Sequence, residues 1–198
     1  MFVAKDVRFA HAGRDDGRRF ELAIDDVTIP STGITAVIGP SGSGKTTLLS
    51  LLSGFVTAEA GSLHFDGRDI VTAPRHAPGE VAFVFQAPML LRPSSGAANA
   101  IQGAVLTKEA IDRTHLQTLL EVLDLRDDGG RLLSGRVADH SGGEAQRIAV
   151  LRALLSDARA ILCDEPTSSL DEKNVNAVLS SEERRIGKEC RSRWSPYH

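Results

Sequence analysis

The chain has 198 residues, of which 41% are hydrophobic and 25% charged. This length and composition suit one ordinary soluble domain, or one with a subdomain, and leave enough apolar residues for a real core. A formal net charge of −3 at pH 7 gives no electrostatic case for a nucleic-acid partner, and no apolar run approaches the roughly 20 residues of a membrane span.

The first thirty residues predict two strands. Apolar residues alternate or cluster over residues 2–9 and 20–29, and a polar stretch that contains glycine, residues 12–19, lies between them. This pattern indicates two strands joined by a loop. Pro30–Gly33 then turn the chain into a further apolar run.

Residues 39–47 read GPSGSGKTT and match the phosphate-binding pattern G-x-x-x-x-G-K-[ST]. The apolar residues 34–38 before them predict a buried strand, and the leucines after them begin a helix. In such a loop the glycines let backbone N–H groups point at phosphate oxygens. Lys45 would reach the β- and γ-phosphates, and Thr46 would offer its hydroxyl to Mg²⁺. A glycine-rich turn without a ligand is the alternative, and the flanking strand and helix count against it. The predicted phosphate-binding residues are Gly39, Pro40, Ser41, Gly42, Ser43, Gly44, Lys45, Thr46 and Thr47.

Two more strands are predicted before residue 87. Gly54 and Ala60–Gly61 mark a break after the helix, and Ser62–Gly67 predict an edge strand with a tight turn. Val81–Phe85 predict a buried strand that ends at Gln86.

The spacing of the apolar residues then becomes helical. Between residues 87 and about 140 no strong strand pattern occurs, and Leu106 to Leu125 carry apolar residues at mostly helical spacing. We predict a helical insertion over this stretch, with a loop at Asp128–Gly130.

The next stretch predicts a capped helix and a strand. Ser141 and Glu144 form the pattern of a capping box, with Ser141 as the N-cap of an apolar helix. Ala160–Cys163 then predict a buried strand that ends at Asp164 and Glu165. A carboxylate at that strand end can hold Mg²⁺ beside the loop threonine, and the next one can polarise a water. Strands also often end in acidic turns, so this pair gains its weight from the phosphate loop upstream.

The order of these motifs resembles the ATP-binding subunit of an ABC transporter. Gly39–Thr47 resemble its P-loop (Walker A), Phe83–Gln86 its Q-loop, Ser141–Arg147 its signature, and Asp164–Asp171 its Walker B and D-loop. The resemblance covers residues 1 to about 180. It implies an α/β fold: a P-loop NTPase core with a parallel sheet, an N-terminal antiparallel β subdomain and a helical insertion at about 87–140.

The resemblance also implies a mechanism that needs two copies. ATP would lie between the P-loop of one subunit and Ser141, Gly142, Gly143 and Glu144 of the other. Thr46, Gln86 and Asp164 would serve Mg²⁺, Lys45 and Gln86 would assist catalysis, Glu165 would act as general base, and Asp171 would report across the dimer.

The implied partners are a second ATPase subunit, identical or closely related, and a membrane-spanning transporter subunit. No nucleic acid is expected, and the expected location is cytoplasmic, peripheral on the inner face of the cell membrane. The two cysteines, Cys163 and Cys190, form no disulfide framework and agree with a reducing compartment. Two alternatives stay open: a soluble ABC-type ATPase that acts on DNA or ribosomes, and a non-catalytic truncated fragment.

Three positions depart from the family pattern. His140 stands where leucine is usual, Glu144 where glutamine is common, and His11 where an adenine-stacking aromatic residue is expected, with Phe9 nearby. An imidazole can stack on a base with less area than a tyrosine. We therefore carry His11 as a candidate adenine contact, with a plain surface histidine as the alternative.

The last eighteen residues, 181–198, do not continue the family pattern. They contain the only Trp and the only Tyr of the chain and no apolar run of the kind that forms a buried strand. They resemble the translation of a sequencing-adapter oligonucleotide. We therefore expect an ABC ATPase domain over 1–180 that is incomplete at its C-terminal end, followed by a non-native tail. His198, which lies near the expected distance for the γ-phosphate histidine, is not assigned that role.

Overall fold

A computed structural model describes residues 1–12, 19–71, 76, 79–107, 111–126 and 130–165. These residues divide into two compact units. The first contains residues 1–83 and 158–164, and the second contains residues 84–157 together with Glu165. Within the described ranges, no helix combines the length and the apolar character that crossing a bilayer requires.

The first unit contains an antiparallel sheet. Its strands are β1 (Phe2–Ala12), β2 (Arg19–Ile29), β3 (Ala60–Phe65) and β4 (Arg68–Asp69), in the spatial order β2-β1-β3-β4. β1 pairs with β2 along its length and with β3 on its other side. The two predicted N-terminal strands and the antiparallel subdomain are thus confirmed.

The prediction for β3 was wrong in two respects. β3 lies between β1 and β4, so it is not an edge strand, and Ala60–Gly61 begin it instead of breaking the chain. Gly61 has a φ of +90°, and a Cβ there would lie 2.4 Å from the carbonyl oxygen of Asp6. The glycine therefore marks a close approach of two backbones at the irregular register between β1 and β3.

One helix and two strands complete the described part of this unit. α1 (Lys45–Leu52) follows the P-loop, and β5 (Val81–Val84) pairs with β6 (Ala160–Cys163) in a two-stranded parallel sheet. Leu51 and Leu52 of α1 and Leu162 of β6 are buried in the same apolar cluster as Phe2 and Phe65 of the antiparallel sheet. The strands predicted at Val81–Phe85 and Ala160–Cys163 are confirmed, the first one residue shorter.

The buried strand predicted at residues 34–38 is wrong. These residues have no strand conformation, and Ile34 and Ile38 are 60% and 92% exposed. No described segment is hydrogen-bonded to them as a strand. An apolar run forms a strand only where another segment pairs with its backbone N–H and C=O groups. The residues of the run do not determine whether such a segment is present.

The second unit is helical where it is described. Its helices are α2 (Gly96–Ala100), α3 (Gln102–Thr107), α4 (Arg113–Val122), α5 (Arg131–Ser134) and α6 (Gly142–Leu154), with a 3₁₀ turn at Val137–Asp139. α2 packs against α5 and α6, and α6 buries Ile148, Val150, Leu151 and Leu154. The helical character is confirmed, while the limits of the insertion at about 87–140 stay a prediction. The loop expected at Asp128–Gly130 lies mostly outside the described residues.

Candidate nucleotide site

The P-loop lies on the first unit and leads directly into α1. Ser43 N donates to Pro40 O at 3.3 Å, so the loop curls back before the helix begins. Gly44 caps α1 with a φ of +92°, and a Cβ there would meet the side chains of Leu22 and Phe20 at 3.1 and 3.2 Å. Only glycine combines this left-handed conformation with such close packing. The loop lines an open cavity of about 280 Å³ with Leu22 and other residues of the same unit.

Lys45 is fixed by the loop itself. Its Nζ donates to the carbonyl oxygens of Gly39 and Pro40, each at 2.9 Å. A lysine ammonium has three N–H donors, so one remains for a ligand after these two bonds. The geometry therefore places a positive charge with one donor to spare beside the backbone amides of the P-loop.

Thr46 and Asp164 meet although 118 residues separate them in the chain. Thr46, in the first turn of α1, donates from Oγ1 to Oδ1 of Asp164 at 3.2 Å, directly after β6. Hydroxyl and carboxylate oxygens are ligands that suit Mg²⁺. No cluster of three or more His, Cys, Asp or Glu side chains with metal-site geometry occurs in the described ranges. The pair thus fits a cation that takes its remaining ligands from phosphate and water.

On the second unit, Gln86 and Glu165 meet in the same way. Gln86, just after β5, donates from Nε2 to Oε2 of Glu165 at 2.9 Å. Glu165 has a φ of +50°, a conformation that costs a non-glycine residue about 1–2 kcal/mol.

The N-terminus of α6 is organised by the predicted capping box, which is confirmed. Ser141 Oγ accepts from Glu144 N at 3.2 Å, and Glu144 Oε2 accepts from Ser141 N at 2.7 Å. The other carboxylate oxygen accepts from Arg131 Nη2 at 2.6 Å. The Arg131 guanidinium, and after it the Ser141 amide, lower the pKa of Glu144 from 4.5 to about 2. Glu144 is therefore ionised at neutral pH.

Residues 22–168 match the ABC transporter family. The chain belongs to that family.

Two curated relatives and one solved structure give the scale of the similarity. The molybdenum import ATP-binding protein ModC of Thiobacillus denitrificans is 37% identical over 82% of this chain and 45% of its own. The macrolide export ATP-binding/permease protein MacB 1/2 of Paracoccus denitrificans is 37% identical over 80% of this chain and 24% of its own. The dimeric ATP-binding cassette MJ0796, solved in a post-hydrolysis state with ADP and Pi, shares the fold. Its TM-score is 0.74, with 24% identity over 92% of this chain and 81% of that one. This chain therefore spans about half, or less, of the length of the curated relatives it matches.

His140, the first departure from the ABC pattern, makes a hydrogen bond to the backbone of α5. Its Nε2 lies 2.7 Å from the carbonyl oxygen of Leu132, and because a carbonyl only accepts, this nitrogen donates. The half-buried imidazole thereby ties the residue before Ser141 to α5.

His11 lies beside two phenylalanines. Its ring stacks on Phe20 with centroids 5.1 Å apart and an interplanar angle of 25°, and it tilts against Phe9 at 5.9 Å. Phe20 also lies close to the P-loop, because a Cβ added to Gly44 would lie 3.2 Å from its ring. Sequence reasoning missed Phe20 because its position in an alternating strand explained it fully. The adenine contact of His11 stays a prediction, and Asp171, the D-loop candidate, lies outside the described residues.

Sequence reasoning also missed the link between the signature helix and the Q-loop. Gln146, only 1% exposed, donates from Nε2 to the carbonyl oxygen of Phe85 at 3.0 Å. Phe85 directly precedes Gln86, which contacts Glu165. A buried glutamine in an apolar helix is a signal for such a bond, but the partner lies 61 residues away.

Proposed function

We propose that this chain is the ATP-binding subunit of an ABC transporter and that it hydrolyses ATP, with Mg²⁺, as a dimer to drive transport by a membrane partner. The observation that carries the proposal is the contact of Thr46 with Asp164. It joins the end of the phosphate-binding loop to the acidic end of a strand, which is where a nucleotide-bound cation is needed.

Lys45 and the P-loop amides hold the phosphates in this proposal. The two carbonyls that bind Lys45 fix its position before a ligand arrives, so little ordering is left to do on binding. Thr46 and Asp164 would hold Mg²⁺, and the bound cation would supply positive charge to offset that of the phosphates.

Glu165 is the proposed general base, and Gln86 orients it. The Gln86 amide, at 2.9 Å from Oε2, fixes the direction of the Glu165 carboxylate, and a carboxylate so placed can accept a proton from an attacking water. Gln86 would further contact Mg²⁺ or that water once nucleotide is bound. The contacts of Gln86 would therefore change when nucleotide binds.

A second subunit is proposed because the signature turn, Ser141–Glu144 at the start of α6, has backbone donors for a ligand that must come from outside the helix. The first amides of a helix, here those of Gly142 and Gly143, have no acceptor within it, and the helix N-terminus favours an anion. The triphosphate held by a partner's P-loop is such an anion. Binding would close the dimer and hydrolysis would open it.

The membrane partner is proposed to contact the helical unit. Arg152 of α6 donates to the carbonyl oxygens of Pro88 and Met89, and the backbone of α3 approaches the same arginine at Gly103. Apolar side chains on both segments are exposed to solvent, an arrangement that often marks an interaction surface. They are Met89, Leu91, Ile101, Val105 and Leu106. The proposed location follows: the cytoplasmic face of the membrane.

The experiment that tests this function uses Glu165→Gln. Wild-type chain should release phosphate from MgATP, and the variant should release it about 10²- to 10⁴-fold more slowly. The variant should also form a dimer in MgATP that is absent in ADP, measured by sedimentation velocity. Glu59→Gln, at an exposed position directly before β3, is the matched control and should behave as wild type. Normal turnover by the Glu165 variant would remove the general base from the mechanism.

A further inference from the structure

The signature turn carries a charge that opposes its proposed ligand. The N-terminus of a helix is equivalent to about half a positive charge. Glu144, ionised in the first turn of α6, adds a full negative charge at the same place. Taken alone, these two charges would make the turn repel a triphosphate.

Arg131 reverses this balance. Its Nη2 donates to Oε1 of Glu144 at 2.6 Å, so the sum of helix end, carboxylate and guanidinium is positive again. Glu144 keeps its second oxygen on Ser141 N. The arginine thus cancels the charge of the capping residue without taking away its capping bond.

The backbone that carries Arg131 is fixed at several points. Gly130 begins α5 in a left-handed conformation, and Gly135 N closes the turn by donating to Arg131 O at 2.7 Å. His140 donates to the carbonyl oxygen of Leu132, the next residue. This short helix is therefore tied to the segment that leads into Ser141.

We propose that Arg131 is a positioning residue of the signature turn: it neutralises Glu144 so that the N-terminus of α6 can accept the triphosphate held by a second subunit. This inference rests on the proposed function and names the residue that makes its second half-site electrostatically possible. The leucine-to-histidine departure at 140 belongs to the same arrangement, because His140 holds the turn that presents Arg131.

A purely structural ion pair would behave differently. The Arg131 side chain is 58% exposed and that of Glu144 18%, and pairs at such exposure contribute little to folding stability. If Arg131 neutralises Glu144 in this way, we expect its removal to weaken ATP-dependent dimerisation strongly and to change the free energy of unfolding only slightly.

The test is a double-mutant cycle in the Glu165→Gln chain, with MgATP as the probe and sedimentation velocity as the readout. Arg131→Ala should weaken ATP-dependent dimerisation at least tenfold, and Arg131→Lys should retain most of it. In the Glu144→Gln background, the Arg131→Ala change should cost less than threefold, because no charge is left to neutralise. Arg126→Ala removes an arginine that pairs with Glu121 in the same unit, and it should leave dimerisation unchanged. Binding of a fluorescent ATP analogue to the monomer should be equal in all variants.

Three results would overturn the inference. The first is an Arg131→Ala chain that dimerises like its parent, which would leave the proposed function intact and remove the role of Arg131. The second is an Arg131→Ala change that costs as much in the Glu144→Gln background as with Glu144 in place, which would indicate packing instead of charge. The third is a parent chain that stays monomeric in saturating MgATP, which would defeat the proposed function first and this inference with it.

Discussion

The two helix ends proposed to bind phosphate, one on each unit, are built in opposite ways. α1 begins after a left-handed glycine, has no side-chain cap and no acidic residue in its first turn, and has Lys45 as its first residue. α6 begins at a serine with a complete capping box and carries an acid in its first turn. The same macrodipole thus serves a P-loop helix that has no side-chain cap and a signature turn whose own side chains satisfy part of its amides.

This difference suggests that the two helix starts bind phosphate in different circumstances. The open end of α1, with its own cation, can bind a phosphate without help. The capped end of α6 has its cation on another segment, Arg131, and two of its backbone amides, Ser141 N and Glu144 N, already donate to side chains. It is suited to recognise a triphosphate that is already held elsewhere.

Lys45→Ala should weaken ATP binding by at least a hundredfold and abolish turnover. The substitution removes the positive charge at the P-loop and leaves the carbonyls of Gly39 and Pro40 facing the phosphates. Equilibrium titration with a fluorescent ATP analogue measures the loss. Lys5→Ala, at an exposed position on β1, is the control with the same change of net charge. If ATP bound equally well to both variants, the P-loop would not be the phosphate site.

Gly44→Ala and Gly142→Ala compare the two helix starts directly. An added Cβ at Gly44 meets Leu22 and Phe20 in a left-handed conformation, so we expect a loss of about 1–2 kcal/mol in the free energy of unfolding. A Cβ at Gly142 meets no described atom within 4 Å and lies in a helix, where alanine is favoured over glycine. Urea unfolding should therefore show destabilisation only for the first variant. Equal losses would mean that the two turns are not built differently.

The sequence predicted those features that depend on neighbouring residues. The N-terminal strand pair, the start of α1, the capping box and the acidic end of β6 follow from alternation, glycine placement and spacing. The strand at 34–38 failed because pairing is supplied by other segments. The bonds of Arg131 to Glu144 and of Gln146 to Phe85 were unseen for the same reason, since each partner is specified elsewhere in the chain.

His11→Ala should weaken ATP binding several-fold, with little effect on the rate of hydrolysis at saturation. The His11 ring extends an aromatic pair with Phe20 that packs beside Gly44, so its removal would take stacking area from a base placed next to the P-loop. The comparison variant is His64→Ala, a histidine on β3 of the same unit. An unchanged affinity for ATP in the His11 variant would retire the adenine contact.

The smallest effect concerns the stability contributed by Glu144 and its dependence on pH. Arg131 and the Ser141 amide hold the folded-state pKa near 2, below the ordinary 4.5, so the contribution is present above pH 4.5. It is lost as the pH falls from 4.5 to about 2, because in this range the unfolded chain takes up a proton on Glu144 while the folded chain, held by these bonds, does not. Since Arg131 is largely exposed, we expect the advantage over Glu144→Gln at pH 7 to be about 1 kcal/mol or less. Urea unfolding of the two chains across this pH range should show the gap closing, and in an Arg131→Ala background it should be narrower from the start. A gap that stayed constant down to pH 2 would mean that the carboxylate charge does not stabilise the signature turn. In that case Arg131 would not act by neutralising Glu144.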